Sequence, residues 1–284
     1  QEVASLFCGK ELAFGSLVLP CYGEGEPGPG GLSCQATAEE LGGVLKVYGT
    51  GVRPQVSGTD AALFGVVCRT GGGAPGLVLL PGDTEGISRS APFKKTGLAA
   101  SVNADIDLNG VTLPSSHLAF TGMDPARGLL AIYYAGCAAV CTGALLAAYE
   151  IIREWADTRV IKGRGQTFKE NPLVAGMLGR IGGKTQATRM LTYTLAEMLS
   201  DPGTYGAAGS HSLFAAATAV FWQVAGLASE VLDGIMELMA SAGYATEWQL
   251  ERYWRDVRTL QTYVAPETVP PVDMARHYFG LKTL

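Results

Sequence analysis

Hydrophobic and polar positions follow two rhythms along this chain, and the change falls near residue 121. Before it, short apolar runs alternate with Gly, Pro, Asp and Thr: "SLVLP" at 16–20, "VLKVYG" at 44–49, "ALFGVVCRT" at 62–70, "GLVLLPG" at 76–82 and "ADIDLNGVTLP" at 104–114. Closely spaced runs of this length, with no amphipathic helix between them, predict a sandwich or barrel. "GEGEPGPGG" at 23–31 predicts a loop in which Gly and Pro serve backbone shape. After Thr121 apolar positions recur at helical spacing, as in Leu213, Ala217, Val220, Val224 and Leu227. Helices are expected over roughly 125–158, 172–200, 210–241 and 246–260, with Asp124 as N-cap and Pro125 in the first turn of the first. "KGRGQTFKENP", "SDPGTYGAAGS" and "SAGYATE" supply the breaks. Long helices joined by short loops predict an antiparallel four-helix bundle. The fold class is therefore α+β: a β-domain over 1–121, then a helical bundle over 122–284, with no internal repeat or long linker.

Composition narrows the classes. The 284 residues are 48% hydrophobic and 17% charged, with a formal net charge of −5. No basic stripe pairs with aromatics, which argues against nucleic acid as a partner. Residues 128–149, "GLLAIYYAGCAAVCTGALLAAY", carry no charge and are long enough to span a bilayer. They are rich in Ala and Gly and run straight into the charged "EIIREWADTR", so the reading is a helix buried within an oligomer and not a membrane anchor. Residues 1–30 lack a basic segment followed by an apolar core, so no signal peptide is expected. Six cysteines at 8, 21, 34, 68, 137 and 141 form no CxxC pair, which disfavours zinc. Cys137 and Cys141 share a helix face and read as small buried apolar residues, a metal or disulfide being the alternative. A reducing, cytoplasmic setting is the expectation.

Local motifs by themselves name no reaction. "GRIGGKT" at 179–185 resembles a phosphate-binding loop, but Leu178 stands where glycine is required and no strand precedes it. His117, His211 and His277 show no ligand spacing, so no metal site is expected. Ser101 in "LAASVN" lacks the glycine-flanked elbow of a hydrolase nucleophile.

The order of local patterns nevertheless resembles the acyl-CoA dehydrogenase family. "GEPGPGG" at 25–31 is similar to its T-E-P-G-A-G-S loop, and "GLAASVNADIDLNGVTLPSSHL" at 97–118 to its G-x-x-A-S strand pair. "YEIIREWADTRVIKG" at 149–163 resembles the helix ending in A-x-x-R-x-x-F-G. "LMASAGYATEWQLERYWRDVR" at 238–258 resembles the G-G-x-G-Y segment and the L-x-R-x-x-R-D helix. The resemblance runs from about Ala13 to Gly280 and covers the family's β-domain and C-terminal four-helix bundle, but not its N-terminal helical domain. It implies FAD, an acyl-CoA thioester and a glutamate that removes the α-proton while the flavin takes the β-hydride. It also implies a flavin held between sheet and bundle, its adenosine end reaching a neighbouring subunit.

Position by position, the resemblance is uneven. The usual base follows a tyrosine in a Y-E-G-T pattern, which here reads Tyr263-Val264-Ala265-Pro266, with Glu267 three residues late as a weak substitute. The alternative base position, in D-x-E-R, is Ala126 in "DPAR". The strand that packs on the flavin ring, W-I-T or W-I-S in the family, corresponds to Arg53, Pro54, Gln55 and Val56. Gly25 replaces the Thr of T-E-P, and Gly31-Leu32 the closing Ser-Asp. Residues that reach a neighbour's cofactor survive better: Arg159 matches the pyrophosphate-contacting arginine, Gly163 the glycine after it, and Gly243 one glycine of G-G-x-G, while Lys162 replaces the aromatic. An arginine there can make charge-assisted bonds to phosphate, or can simply pair with Asp157 or Glu154.

The expectation is a small, catalytically degenerate subunit of an FAD-dependent acyl-CoA dehydrogenase complex. A larger subunit would supply base and flavin seat, and an electron-transfer flavoprotein is a candidate electron acceptor. The alternatives are an autonomous acyl-CoA dehydrogenase with an atypical base, and a non-enzymatic scaffold or CoA-binding protein.

Overall fold

Strand pairing accounts for the apolar runs before residue 121. A computed structural model describes residues 13–20, 33–262 and 269–280. Its strands are β1 (Phe14–Val18), β2 (Thr37–Leu41), β3 (Val44–Val52), β4 (Ala61–Thr70), β5 (Pro75–Pro81), β6 (Ile87–Arg89), β7 (Ile106–Pro114) and β8 (Leu118–Thr121). Among the described residues they make one mixed sheet, ordered β6-β7-β3-β2-β4-β5-β8. β1 and β2 share one edge of β4 in parallel, β1 alongside Ala61 to Val66 and β2 alongside Arg69 and Thr70. The sheet forks there. Residues of both halves, including Val47, Phe64, Val66, Leu80, Ile106, Leu108 and Val111, meet in one apolar interior. The expected sandwich or barrel thus takes the form of a single sheet folded over its own core, with β6 and β8 left at the ends of the order.

β4 and β5 are buried on both faces. Phe64, Val66, Cys68, Val78 and Leu80 point into the sheet interior. The alternating residues Val67 and Leu77 join the core of the helices. Burial on both faces is why these two segments read as unbroken apolar runs.

The helices are α1 (Met123–Thr158), α2 (Pro172–Ser200), the single turn α3 (Pro202–Tyr205), α4 (His211–Met239), α5 (Leu250–Gln261) and α6 (Val269–Phe279). α4 packs against α1, α2, α5 and α6, and α1 also meets α2 and α5. Between α1 and α4, Tyr134 stacks on Phe221 at 5.4 Å and on Phe214 at 6.1 Å. Cys137 and Cys141 are buried free thiols, pushed up to about 11 and about 12 by desolvation. α1 and the segment His211–Tyr244 are long and apolar enough to cross a membrane, and their buried residues share one core.

Two details correct the sequence reading. Asp124 is not the N-cap of α1: Gly122 holds that place at φ 114°, and Asp124 lies in the first turn, paired with Arg127. α6 has no counterpart among the expected helices. Its Pro270 and Pro271 fall in the first turn, where a missing backbone N–H costs nothing.

Sheet and helices are joined by the segment ahead of β7. Arg255 Nε donates to the Thr96 carbonyl at 3.1 Å, and the Leu98 N–H donates to Asp256 Oδ1 at 2.5 Å. A Cβ on Gly97 would overlap the Arg255 carbonyl and the Thr259 hydroxyl, so only glycine permits this approach.

Candidate functional site

A cleft of about 610 Å³ opens between the end of β3 and the end of α5. Gln35, Gly51, Arg53, Pro54, Gln55, Phe93, Lys95, Asn103, Thr259 and Thr262 line it, with no carboxylate among these described residues, although Asp105 and Asp107 bond to its Arg53 and Gly51. Its walls are tied to one another. Arg53 Nε and Nη2 donate to the two carboxylate oxygens of Asp105 at 2.8 and 3.0 Å, and the guanidinium lies 4.8 Å from the Phe93 ring centroid. The Arg53 N–H donates to Gln35 Oε1, and the Gln55 N–H to the Leu17 carbonyl. Asn103 Nδ2 donates to the carbonyls of Pro54 and Gln55, and Lys95 donates to Asn103 Oδ1. Desolvation lowers the Lys95 pKa, against the raising influence of Asp256. Tyr133 of α1 donates its hydroxyl to Gln55 Oε1 at 3.2 Å, linking the cleft to the helices.

A second group lies where the first turns of α1 and α4 meet α6. Ala126, at the alternative base position, is buried, its side chain a methyl with no proton to exchange. Arg127, His211, Asp273 and Arg276 line a cavity of about 150 Å³ beside it. His211 and His277, which sequence spacing kept apart, meet edge to face at 4.7 Å. Burial, then His277 and Arg127, lowers the His211 pKa. Asp273 keeps 14% of its side chain exposed, and burial pushes it up to about 6 although Arg276 donates to it at 2.9 Å. Asp273 was not singled out in the sequence. Only the packing of α6 gives it an unusual environment, and no local pattern encodes that.

The residues matched to a neighbour's cofactor gather at the other end of α1. Arg159 caps the helix by donating its N–H to the Trp155 carbonyl, and its exposed guanidinium lies 5.3 Å from the Trp155 ring. Trp155 packs edge to face on Trp248 at 5.4 Å. Trp248 follows the 3-10 turn Ala240–Tyr244, which contains the buried Gly243. Gly163 sits at φ 80° in the exposed turn just past Arg159, and the carbonyl of Arg159 accepts from Phe168. Asp157 pairs with Lys169 at 3.2 Å and not with Arg159. Arg159 and the turn holding Gly243 are thus linked through Trp155 and Trp248, while Gly163 lies four residues beyond Arg159. Val264, Glu267 and the 25–31 loop lie outside the described residues.

Comparison with known proteins agrees with this architecture. The family model "Acyl-CoA dehydrogenase, C-terminal domain" matches residues 121–266, just over half of the chain. The mitochondrial short/branched chain specific acyl-CoA dehydrogenase of Bos taurus is 24% identical over 246 residues, covering 84% of this chain and 54% of that protein. The chain thus spans about half the length of the curated relatives it matches. Among solved structures, a glutaryl-CoA dehydrogenase from Mycobacterium smegmatis in complex with FADH2 superposes with a TM-score of 0.78 at 17% identity, covering 96% of this chain and 67% of that one. A chain described as the electron transferring flavoprotein of Acidaminococcus fermentans gives 0.77 at 21%, covering 95% and 69%. At these identities the structural matches speak to fold alone.

FAD, the cofactor implied by these similarities, can be tested against the residues present. An isoalloxazine ring needs an open flat face to stack on. Phe93 is the single aromatic residue among the described residues lining the cleft, and Arg53 already covers it. The described lining therefore gives a flavin ring little aromatic surface to stack on. The exposed guanidinium of Arg159 does fit a phosphate oxygen.

Proposed function

The chain belongs to the acyl-CoA dehydrogenase family, and on that premise we propose that it is the small, catalytically degenerate partner of a larger subunit in a complex that desaturates an acyl-CoA thioester between Cα and Cβ. The observation behind this reading is that no carboxylate is among the described residues lining the cleft, together with the methyl group of Ala126 at the alternative base position. Removing an α-proton requires a positioned acceptor within hydrogen-bond reach. Amides, threonines and two cations line the cleft instead. The companion subunit supplies the acceptor and seats the FAD, and acyl-CoA binds through the complex. Electrons leave to an electron-transfer flavoprotein. This chain contributes its helices to assembly, and Arg159, Gly163 and Gly243 to the phosphate end of a cofactor held mainly by the partner.

Purification of the chain alone and together with the larger subunit tests the proposal. The expected result is a flavin-free lone chain, and a complex that holds flavin and bleaches on addition of acyl-CoA. Acyl-CoA-dependent bleaching of flavin bound to the lone chain would overturn it.

A second reading, an autonomous dehydrogenase with an atypical base, draws support from Asp273. This carboxyl is poised near neutrality beside Arg127, at the first turn of α1 where the alternative base position lies. Its cavity of about 150 Å³ is small for a thioester, and the reading requires α6 to move.

A further inference from the structure

We propose that the outer face of α1 is a self-association surface. A second copy of this chain lays its own α1 antiparallel along it, with Ile132 of each copy seated against Gly143 of the other. The inference goes beyond the reading above and does not depend on which subunit holds the flavin.

Three observations carry it. The first is an open apolar face. Ile132 and Val140 are 59% and 56% exposed, and Gly136, Ala139 and Gly143 are exposed with them. Positions 132, 136, 139 and 143 fall within about 60° of one another around the helix, with Val140 at their edge. A solvated face of a long helix ordinarily carries charge, yet no charged residue occurs from Gly128 to Tyr149.

The second is that bulky and empty positions on this face are matched to each other. A Cβ on Gly136 or on Gly143 would meet nothing, so both are open notches. Across a two-fold axis, residue i meets j and j meets i. Antiparallel pairing that sets Ile132 opposite Gly143 also brings Gly136 opposite Ala139 and Val140. Each large side chain then faces a notch, at both ends of the contact. Parallel pairing would set Ile132 on Ile132 and Gly143 on Gly143, and would leave voids.

The third is a pocket placed where the knob arrives. Gly143 lies on the wall of an open pocket of about 530 Å³, together with Leu98, Ala100, Ala144, Val257 and Leu260. The pocket widens the notch and carries the contact from α1 onto α5 and the segment ahead of β7. A bilayer suits this face less well, since small residues make up most of it and the opposite side of α1 is buried in the core with α4. A different protein would have no need of the reciprocal spacing.

Sedimentation equilibrium of the full chain alone, from about 1 to 100 µM, tests the proposal. Circular dichroism and melting curves would confirm that each variant is folded. The unmutated chain should associate as a dimer. Ile132→Gly removes the knob and Gly143→Ile fills the notch, and each should weaken association at least about tenfold. Ile132→Gly/Gly143→Ile exchanges the two and should recover part of the loss. A chain that stays monomeric throughout would overturn the proposal, whether the larger subunit or phosphatidylcholine vesicles then take up the face. So would a dimer indifferent to both single changes, or a double variant no better than the weaker single one. The flavin content of the lone chain, which decides the proposed function, does not enter this test.

Discussion

The carboxylate of Asp256 accepts the backbone N–H of Leu98 at 2.5 Å across 158 positions of sequence, and this bond fastens the sheet to the helices. Leu98 lies at φ 51°, a conformation that costs a side-chain-bearing residue about 1–2 kcal/mol. The bond to a charged acceptor offsets that strain.

Removing the acceptor should therefore loosen the joint. Asp256→Ala is expected to cost about 2 kcal/mol, the worth of a hydrogen bond to a charged group, and to lower Tm by several degrees. Gly97→Ala should destabilise as well, since its new methyl meets the Arg255 carbonyl. Thermal melts followed by circular dichroism would check both, and an unchanged Tm in the two variants would mean that the joint lies elsewhere.

Arg159 should matter for the cofactor and little for the fold. Its guanidinium is exposed and contacts only the Trp155 ring among the interactions described, a contact worth about 0.5–1 kcal/mol. Arg159→Ala is expected to leave Tm and assembly of the complex nearly unchanged while reducing flavin retained per complex. A full flavin content in the variant would retire the phosphate-contact role.

Asp273 predicts a pH dependence with a definite sign. Its folded pKa, about 6, lies above the ordinary carboxylate value near 3.9. The folded state therefore favours the protonated acid, and this contribution is fully present below about pH 4 and lost as pH rises through about 6. Asp273→Asn should raise Tm at pH 7.5, less the loss of the Arg276 bond, and the advantage should shrink toward pH 4. His211 titrates with the opposite sign, since its lowered pKa removes stability on acidification, but it is common to both proteins. A difference in Tm that does not vary with pH would refute the assignment. If the second functional reading holds, the same variant also abolishes acyl-CoA-dependent bleaching.

Restoring a glutamate at the family's usual base position should not restore catalysis. Val264→Glu supplies a proton acceptor, yet the cleft still presents Arg53, Pro54 and Gln55 at the positions matched to the family's ring-packing strand. The lone variant chain should show no acyl-CoA dehydrogenase turnover in a dye-linked assay. Measurable turnover would mean that the cleft does accept a flavin.

The pattern of apolar runs and turn residues was enough to determine most elements of this protein and their order. Short apolar runs became β3 to β5 and β7, and helical spacing placed α1, α2 and α4 to within about two residues of their observed ends, because these signals are local and long. The amino acids at 126, 159, 163 and 243, and the family they suggest, were equally legible, since identity and spacing are properties of the chain alone. Where a side chain goes depends on what packs against it, and only the tertiary structure decided that. Arg53 lies at the surface against Phe93 because Asp105, 52 residues away, stands beside it at the end of the neighbouring strand. Asp273 and the His211–His277 pair acquire their character from the docking of α6 against α4, a contact between segments about 60 residues apart. The N-cap of α1 moved to Gly122 because its φ of 114° turns the chain from β8 into the helix, and glycine adopts that angle without strain. Local pattern sets what each segment becomes, whereas burial, charge pairing and access to a cleft arise between distant segments and exist only once they are brought together.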